Sequence, residues 1–170
     1  EVAGQDTRKE IPDWMPDIVG VTAMTPTAPD AYKVLDLARG LGIQTVMGGV
    51  HASVMVDEAL QHCDHVVKGD GEKAMLGLAN GTITESFIEG EIVDSLDDIP
   101  APAWDLFDML HYLKTRSRLV RSHLNYVDVN TRVGCIMTTR GCPYKCIFCY
   151  NNQRTTPLRF LSAERVIADV

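Results

Sequence analysis

The reading of this chain turns on residues 17–49, DIVGVTAMTPTAPDAYKVLDLARGLGIQTVMGG. The first eight, 17–24, are a short apolar run bounded by Pro16 and the turn-forming TPTAP. That is the pattern of a buried strand. Ala31, Val34, Leu35, Ala38 and Leu41 then recur at i, i+3, i+4, i+7 and i+10, which predicts an amphipathic helix ending at Gly40 or Gly42. IQTVMGG (43–49) predicts a second strand, which runs directly into Gly48 and Gly49. Glycines after a strand let a ligand approach the backbone closely, because no Cβ intrudes.

The alternation continues. DEALQ (57–61) predicts a short helix, DHVVKG (64–69) a third strand, and GEKAMLGLAN (71–80) a helix stopped by Gly81. A β-α-β-α-β-α order implies an α/β fold, a parallel sheet with helices on its faces. The pattern then changes. SFIEGEIVD (86–94) predicts a hairpin or short strand pair turning at Gly90, and LDDIPAPAWDLFDM (96–109) a linker with Trp104 as docking aromatic. RVGCIMTT (132–139) predicts a fresh strand, and SAERVIADV a helix capped by Ser162. The expected organisation is an α/β domain over 1–95, a linker over 96–131 and a second domain opening at 132–170. The missing initiator methionine and the helix just begun at the last residues are read as a fragment cut at both ends.

Bulk properties narrow the function. The chain has 170 residues, 45% hydrophobic and 23% charged, with net charge −7. An acidic balance advertises neither nucleic acid nor an anionic membrane as partner. No apolar run approaches the roughly 18–20 residues of a transmembrane segment. The polar start, EVAGQDTRKE, is not a signal peptide, so a reducing, cytoplasmic compartment is expected, where clustered thiols are metal ligands rather than disulfides.

Such a cluster exists. TTRGCPYKCIFCYNN (138–152) holds Cys142, Cys146 and Cys149, spaced C-x3-C-x2-C; the other cysteines are Cys63 and Cys135. Soft thiolates on one short loop suit an iron–sulfur cluster or zinc. Three are one short of a closed site. Either a fourth ligand comes from elsewhere, or a 4Fe-4S cluster keeps one iron open. For zinc, Cys135 is the fourth candidate, although it falls in the expected strand and the paired C-x2-4-C knuckles of structural zinc are missing.

This spacing, with Phe148 just before the last cysteine and RGCPY ahead of it, resembles the radical S-adenosylmethionine superfamily. The resemblance implies that Cys142, Cys146 and Cys149 hold a 4Fe-4S cluster whose open iron is chelated by S-adenosylmethionine, with Phe148 beside the adenine. One electron, from a donor such as flavodoxin or ferredoxin, then gives methionine and a 5′-deoxyadenosyl radical. It also implies that 132–170 begin a partial (β/α) barrel, with the cysteine loop at its C-terminal mouth.

The order VGVTAM, helix, GGVHAS, DHVVKGDGE, LDDIP-PAW and cysteine loop resembles the cobalamin-binding members of that superfamily over nearly all of 16–170. This implies a Rossmann-like cobalamin domain in which Thr22, Met24, Gly48 and Gly49 line the pocket for the nucleotide tail, while His51 either faces the cofactor or a domain interface or is a satisfied loop histidine. Met24 stands where the family carries Leu. The D-x-H-x-x-G motif that supplies a lower cobalt ligand is not found, so that ligand is unassigned. The implied parent enzyme methylates, cyclises or rearranges an unactivated carbon of a small-molecule substrate, in the manner of anaerobic magnesium-protoporphyrin ester cyclase-like enzymes and cobalamin-dependent methylases. The fragment alone is expected to be inactive. Methylthiotransferase relatives carry further cluster cysteines, against which the single Cys63 argues. The rival is a B12 or small-ligand binding module with a structural zinc, not an enzyme.

Other residues carry competing readings. His62, Cys63 and His65 look like a metal trio, but sit in a helix-to-strand turn, where Cys63 is most simply a small buried residue. Asp70 and Glu72 either favour a helix start or touch the cofactor. Arg140 and Arg159 hold carboxylates and tune cluster charge, or are solvated surface.

Overall fold

The computed structural model describes residues 7–113, 134–152 and 156–169. The chain divides into two compact units, residues 1–93 and 94–170.

In the first unit, β1 (Ile18–Thr22), β2 (Gln44–Gly48), β3 (His65–Gly69) and β4 (Phe87–Gly90) form one parallel sheet in the order β1-β2-β3-β4. The connecting helices are α2 (Ala28–Gly40), α3 (Gly49–Val54), α4 (Val56–Ala59) and α5 (Glu72–Ala79), and α1 (Thr7–Trp14) precedes the sheet. The expected α/β architecture is thus present. Thr45, Val46 and Met47 of β2 are all buried because both faces of the strand are covered. Met47, with Val66 of β3, packs under Tyr32 and Leu35 of α2, Ala52 of α3 and Ala59 of α4. Val46, with Val67 and Ile88, packs on the opposite face under Ala74 and Leu78 of α5. Ile11 of α1 joins Val19, Ala38 and Ile43 at the side of the sheet.

One polar clamp is built into this core. Thr45 is fully buried, and both its N–H and its hydroxyl donate to Asp64 Oδ2, at 2.9 and 2.8 Å. Asp64 N–H donates back to Thr45 Oγ1 at 3.0 Å, and Arg39 Nε lies 3.2 Å from Asp64 Oδ1. Every polar group of the buried threonine is satisfied, so its burial carries no desolvation penalty left uncompensated.

The hairpin expected at 86–94 is not formed. Residues 87–90 make a single strand, paired parallel with β3 through Val66–Phe87, Val67–Ile88, Lys68–Glu89 and Gly69–Gly90. The physical reason is burial: Ile88 completes the α5-side core, which a two-stranded hairpin turning at Gly90 could not supply.

In the second unit, β5 (Thr139–Arg140) pairs antiparallel with β6 (Arg159–Phe160), and α6 (Ala163–Ala168) follows. Ser162 caps α6 as expected, its Oγ accepting from Arg165 N–H at 3.1 Å. The strand expected over 132–139 is confined to its last residue: 134–138 carry no regular structure, and 132–133 lie outside the described residues. Among the described residues a 3-10 turn, Tyr150–Asn152, lies between β5 and β6. Residues 96–99, expected as part of a linker, are packed: Leu96 is buried, Asp97 Oδ1 accepts from Ser162 N–H at 3.0 Å, and Arg165 Nη1 donates to the Ile99 carbonyl at 2.9 Å. Of the rest of the expected linker, Trp104–Leu106 form a 3-10 turn with Trp104 45% exposed rather than docked, and 114–131 lie outside the described residues.

Candidate cofactor cleft and cysteine loop

At the carboxyl ends of parallel strands the backbone opens toward ligands. Here the opening is a cleft of about 330 Å³, on the sheet face that α5 covers only in part. Five of its ten lining residues are glycines, Gly20, Gly48, Gly49, Gly69 and Gly71; Val46, Val67 and Met75 form its apolar floor and side. Of the residues expected to bind, Thr22, Gly48 and Gly49 are brought together in this cleft. Gly49 adopts φ +88° and lies where a Cβ would run into Thr22 Oγ1, so both the backbone and the space demand glycine. His51 N–H donates to the Ala23 carbonyl at 3.2 Å, tying the loops after β1 and β2 to one another.

Met24 and His51 lie elsewhere. Met24 is 71% exposed and does not line the cleft; its N–H donates to Thr27 Oγ1 at 3.2 Å and its carbonyl accepts from the same hydroxyl at 3.0 Å. His51 is 4% exposed and points into the opposite side of the sheet, with Nε2 2.7 Å from Tyr32 Oη and Nδ1 3.2 Å from Thr25 Oγ1. Gly20, Gly69, Gly71 and Met75 were not expected. Their signals are present in the sequence: a glycine interrupting the apolar run of β1, and the GDG that follows β3.

Asp70 does not cap α5, whose N-cap is Gly71. It is buried, and its Oδ2 accepts from Val93 N–H at 3.3 Å, pinning the chain beyond β4. The trio at 62–65 is structural. Cys63 is buried and its thiol donates to the carbonyls of Ala59 and His65, both at 3.2 Å; burial pushes its pKa up to about 11. His62 Nδ1 lies 2.9 Å from the Asp36 carboxylate and its ring stacks on Tyr32, while His65 spans Gln44 and the Glu85 carbonyl.

In the second unit the β5–β6 ladder ties the base of the cysteine loop. Gly141 takes φ +95° against the Pro157 carbonyl, where a Cβ would clash. Cys149 N–H donates to the Cys146 carbonyl at 3.0 Å. All five cysteines are free thiols; Cys142 and Cys149 are half-buried and Cys146 is exposed. Among the described residues no three His, Cys, Asp or Glu side chains are gathered closely enough to hold a metal. Phe148 is 89% exposed. The donor set, three free soft thiols on one loop closed at its base, fits an iron–sulfur group chemically; its convergence would come with the metal, as metal binding is coupled to local folding. Arg159 is 7% exposed and is the register partner of Arg140, so solvation is not its role. Cys135 is exposed rather than sheathed in a strand, and lines a small cleft of about 150 Å³ with Trp104, Pro100 and Met137.

Comparison with known proteins places these features. Residues 1–79 match the B12 binding domain model. The chain is 31% identical over 97% of its length to an uncharacterized methyltransferase of Pyrococcus horikoshii, covering 38% of that protein. It is 26% identical over its whole length to the anaerobic magnesium-protoporphyrin IX monomethyl ester cyclase of Rubrivivax gelatinosus, covering 33% of it. It is 34% identical over 78% of its length to the bacteriochlorophyllide d C-8(2)-methyltransferase of Chlorobaculum tepidum, covering 28% of it. The chain thus spans about a third of the length of these curated relatives. Among the described residues no helix is long and apolar enough to cross a membrane. The kinship with ester cyclases and methylases read from the residues is borne out, and the part of the chain that matches the B12 binding domain model is residues 1–79.

Proposed function

We propose that this chain is the cofactor-holding part of a cobalamin-dependent radical S-adenosylmethionine enzyme that methylates, cyclises or rearranges an unactivated carbon of a small molecule. The observation that carries the reading is the glycine-lined cleft at the strand ends of a segment matching the B12 binding domain. Thr22, Gly48 and Gly49, with Gly20 and Gly69, would hold the nucleotide tail of cobalamin by backbone proximity, the absence of side chains leaving room in the cleft of about 330 Å³. Cys142, Cys146 and Cys149 would ligate a 4Fe-4S cluster with one position left for S-adenosylmethionine, and Phe148 would cover its adenine. Bound there, the cluster would supply one electron for cleavage of the S-adenosylmethionine C–S bond into methionine and a 5′-deoxyadenosyl radical, and an external donor such as flavodoxin or ferredoxin would replace that electron. The chain's own part is ligation, orientation and exclusion of water. Arg140 and Arg159, paired at the base of the loop, bring positive charge toward a thiolate-rich group.

The test is anaerobic reconstitution with iron and sulfide in the presence of hydroxocobalamin. Co-elution of corrinoid with a broad brown absorbance that disappears in Cys146→Ala is the expected outcome; a colourless chain would contradict it. A second reading gains from one observation: Cys135 is exposed and outside regular structure, and as a fourth thiol it would complete a structural zinc site in a non-enzymatic binding module. Stoichiometric zinc without iron, lost in Cys135→Ala, would establish that rival.

A further inference from the structure

His51 is buried in the first unit, yet both of its ring nitrogens meet hydroxyls from different segments: Thr25 in the β1–α2 loop and Tyr32 on α2. Tyr32 Oη also lies 3.0 Å from Glu58 Oε1 on α4. A carboxylate has no proton to give at neutral pH, so the phenol must donate to Glu58. Burial, and then Glu58, push the Tyr32 pKa up to about 12, so that proton stays in place. A phenol has one proton. With it spent on Glu58, Tyr32 can only accept from His51, which requires a hydrogen on Nε2. In the Nε2–H tautomer Nδ1 is bare, and the Thr25 hydroxyl, 3.2 Å away, donates to it. The four groups form a one-directional chain, Thr25 to His51 to Tyr32 to Glu58, each member satisfied. His62 stacks on Tyr32 with ring centroids 4.1 Å apart and holds the phenol in place.

The chain ends beside the cleft. Thr25 starts the turn that follows Thr22-Ala23-Met24, and the His51 backbone N–H holds the Ala23 carbonyl of the same loop. One residue therefore grips the loop twice, three residues after the first glycine of the Gly48-Gly49 pair. We propose that His51 is a positioning residue for the cleft: as the Nε2–H tautomer it acts through Thr25 to fix the β1–α2 loop, and with it Thr22, against Gly49. This rests on the reading of the cleft as a cofactor site, but the device itself is intrinsic to the chain. A residue that merely fills space at this position would need no defined tautomer and no exposed hydroxyl partner.

Imidazole nitrogen NMR on the 170-residue chain should show a protonated Nε2 and a bare Nδ1 for His51. Thr25→Val removes an exposed hydroxyl but leaves the buried His51 Nδ1 without its donor, so the thermal midpoint should fall by a few degrees while the chain stays folded. Exchange of the Met24 and Thr27 amides should speed up about tenfold, the factor that one hydrogen bond is worth. His51→Asn, which keeps a polar atom near the Nδ1 position, should preserve slow exchange better than His51→Gln, which keeps one near Nε2. Hydroxocobalamin affinity should weaken in Thr25→Val by a factor similar to the change in exchange. An Nδ1–H tautomer, or unchanged loop exchange in Thr25→Val, would overturn the proposal. Failure of the wild-type chain to take up hydroxocobalamin would count against the cofactor reading alone, since the exchange data decide the role of His51 either way.

Discussion

At the residue scale, the chemistry was legible wherever a side chain or its absence was itself the message. Gly48 and Gly49 announced a ligand-facing loop, and the structure adds why the second must be glycine: φ +88° and contact with Thr22. Gly49→Ala should therefore destabilise the first unit by about 1–3 kcal/mol, the cost of a side chain at a strained position, measurable as a lower denaturation midpoint. Cys63 carries a pH prediction. Its pKa is about 11 in the folded chain, against 9.0 for the unperturbed thiol, because burial disfavours the thiolate. A folded-state pKa raised above the unfolded one means that the folded state binds the proton more tightly. The associated stability is present below about pH 9 and is lost as pH rises toward 11. Thermal midpoints should fall across that window, and Cys63→Ala should flatten the fall. His51 was legible only as an open choice between a cofactor contact and a satisfied histidine, and the structure shows both ring nitrogens with partners. A histidine after a glycine pair reads either way; only the placement of Tyr32 and Thr25, at 19 and 26 residues' separation, draws its ring to the other face of the sheet.

At the element scale, periodicity gave β1, α2, β2, β3 and α5, since each buries a stripe or face that the apolar pattern declares. The failures have one cause. SFIEGEIVD looks like a hairpin because Gly90 sits between two short apolar stretches, and nothing local reveals that Val66 and Val67 offer a parallel edge. RVGCIMTT has strand propensity, but such a run forms a strand only where a neighbour pairs with it, and pairing here reaches only Thr139 and Arg140. β4 should therefore be a supported element rather than a mobile flap. Ile88→Ala should cost about 2–4 kcal/mol, within the range for a buried large-to-small change, and should speed amide exchange along β4. A mere turn would leave both unchanged.

At the scale of the whole molecule, the α/β architecture and the kinship with B12-domain cyclases and methylases were both legible, because motif order along 16–170 survives when individual contacts cannot be foreseen. What sequence could not give was the shape of the cleft, which is made by glycines from three separate strand ends. That shape offers the most direct test. Gly20 lies in β1 with no positive φ, and a Cβ there would meet only Val46 Cγ1 at 3.5 Å and Met75 Cε at 4.0 Å, ordinary contacts. Gly20→Val should leave folding intact, valine being well suited to a strand, while filling the cleft. Equilibrium dialysis against hydroxocobalamin should find one equivalent bound to the wild-type chain and none to Gly20→Val at an unchanged thermal midpoint. No uptake by the wild type, or equal uptake by both, would contradict a cobalamin site in this cleft.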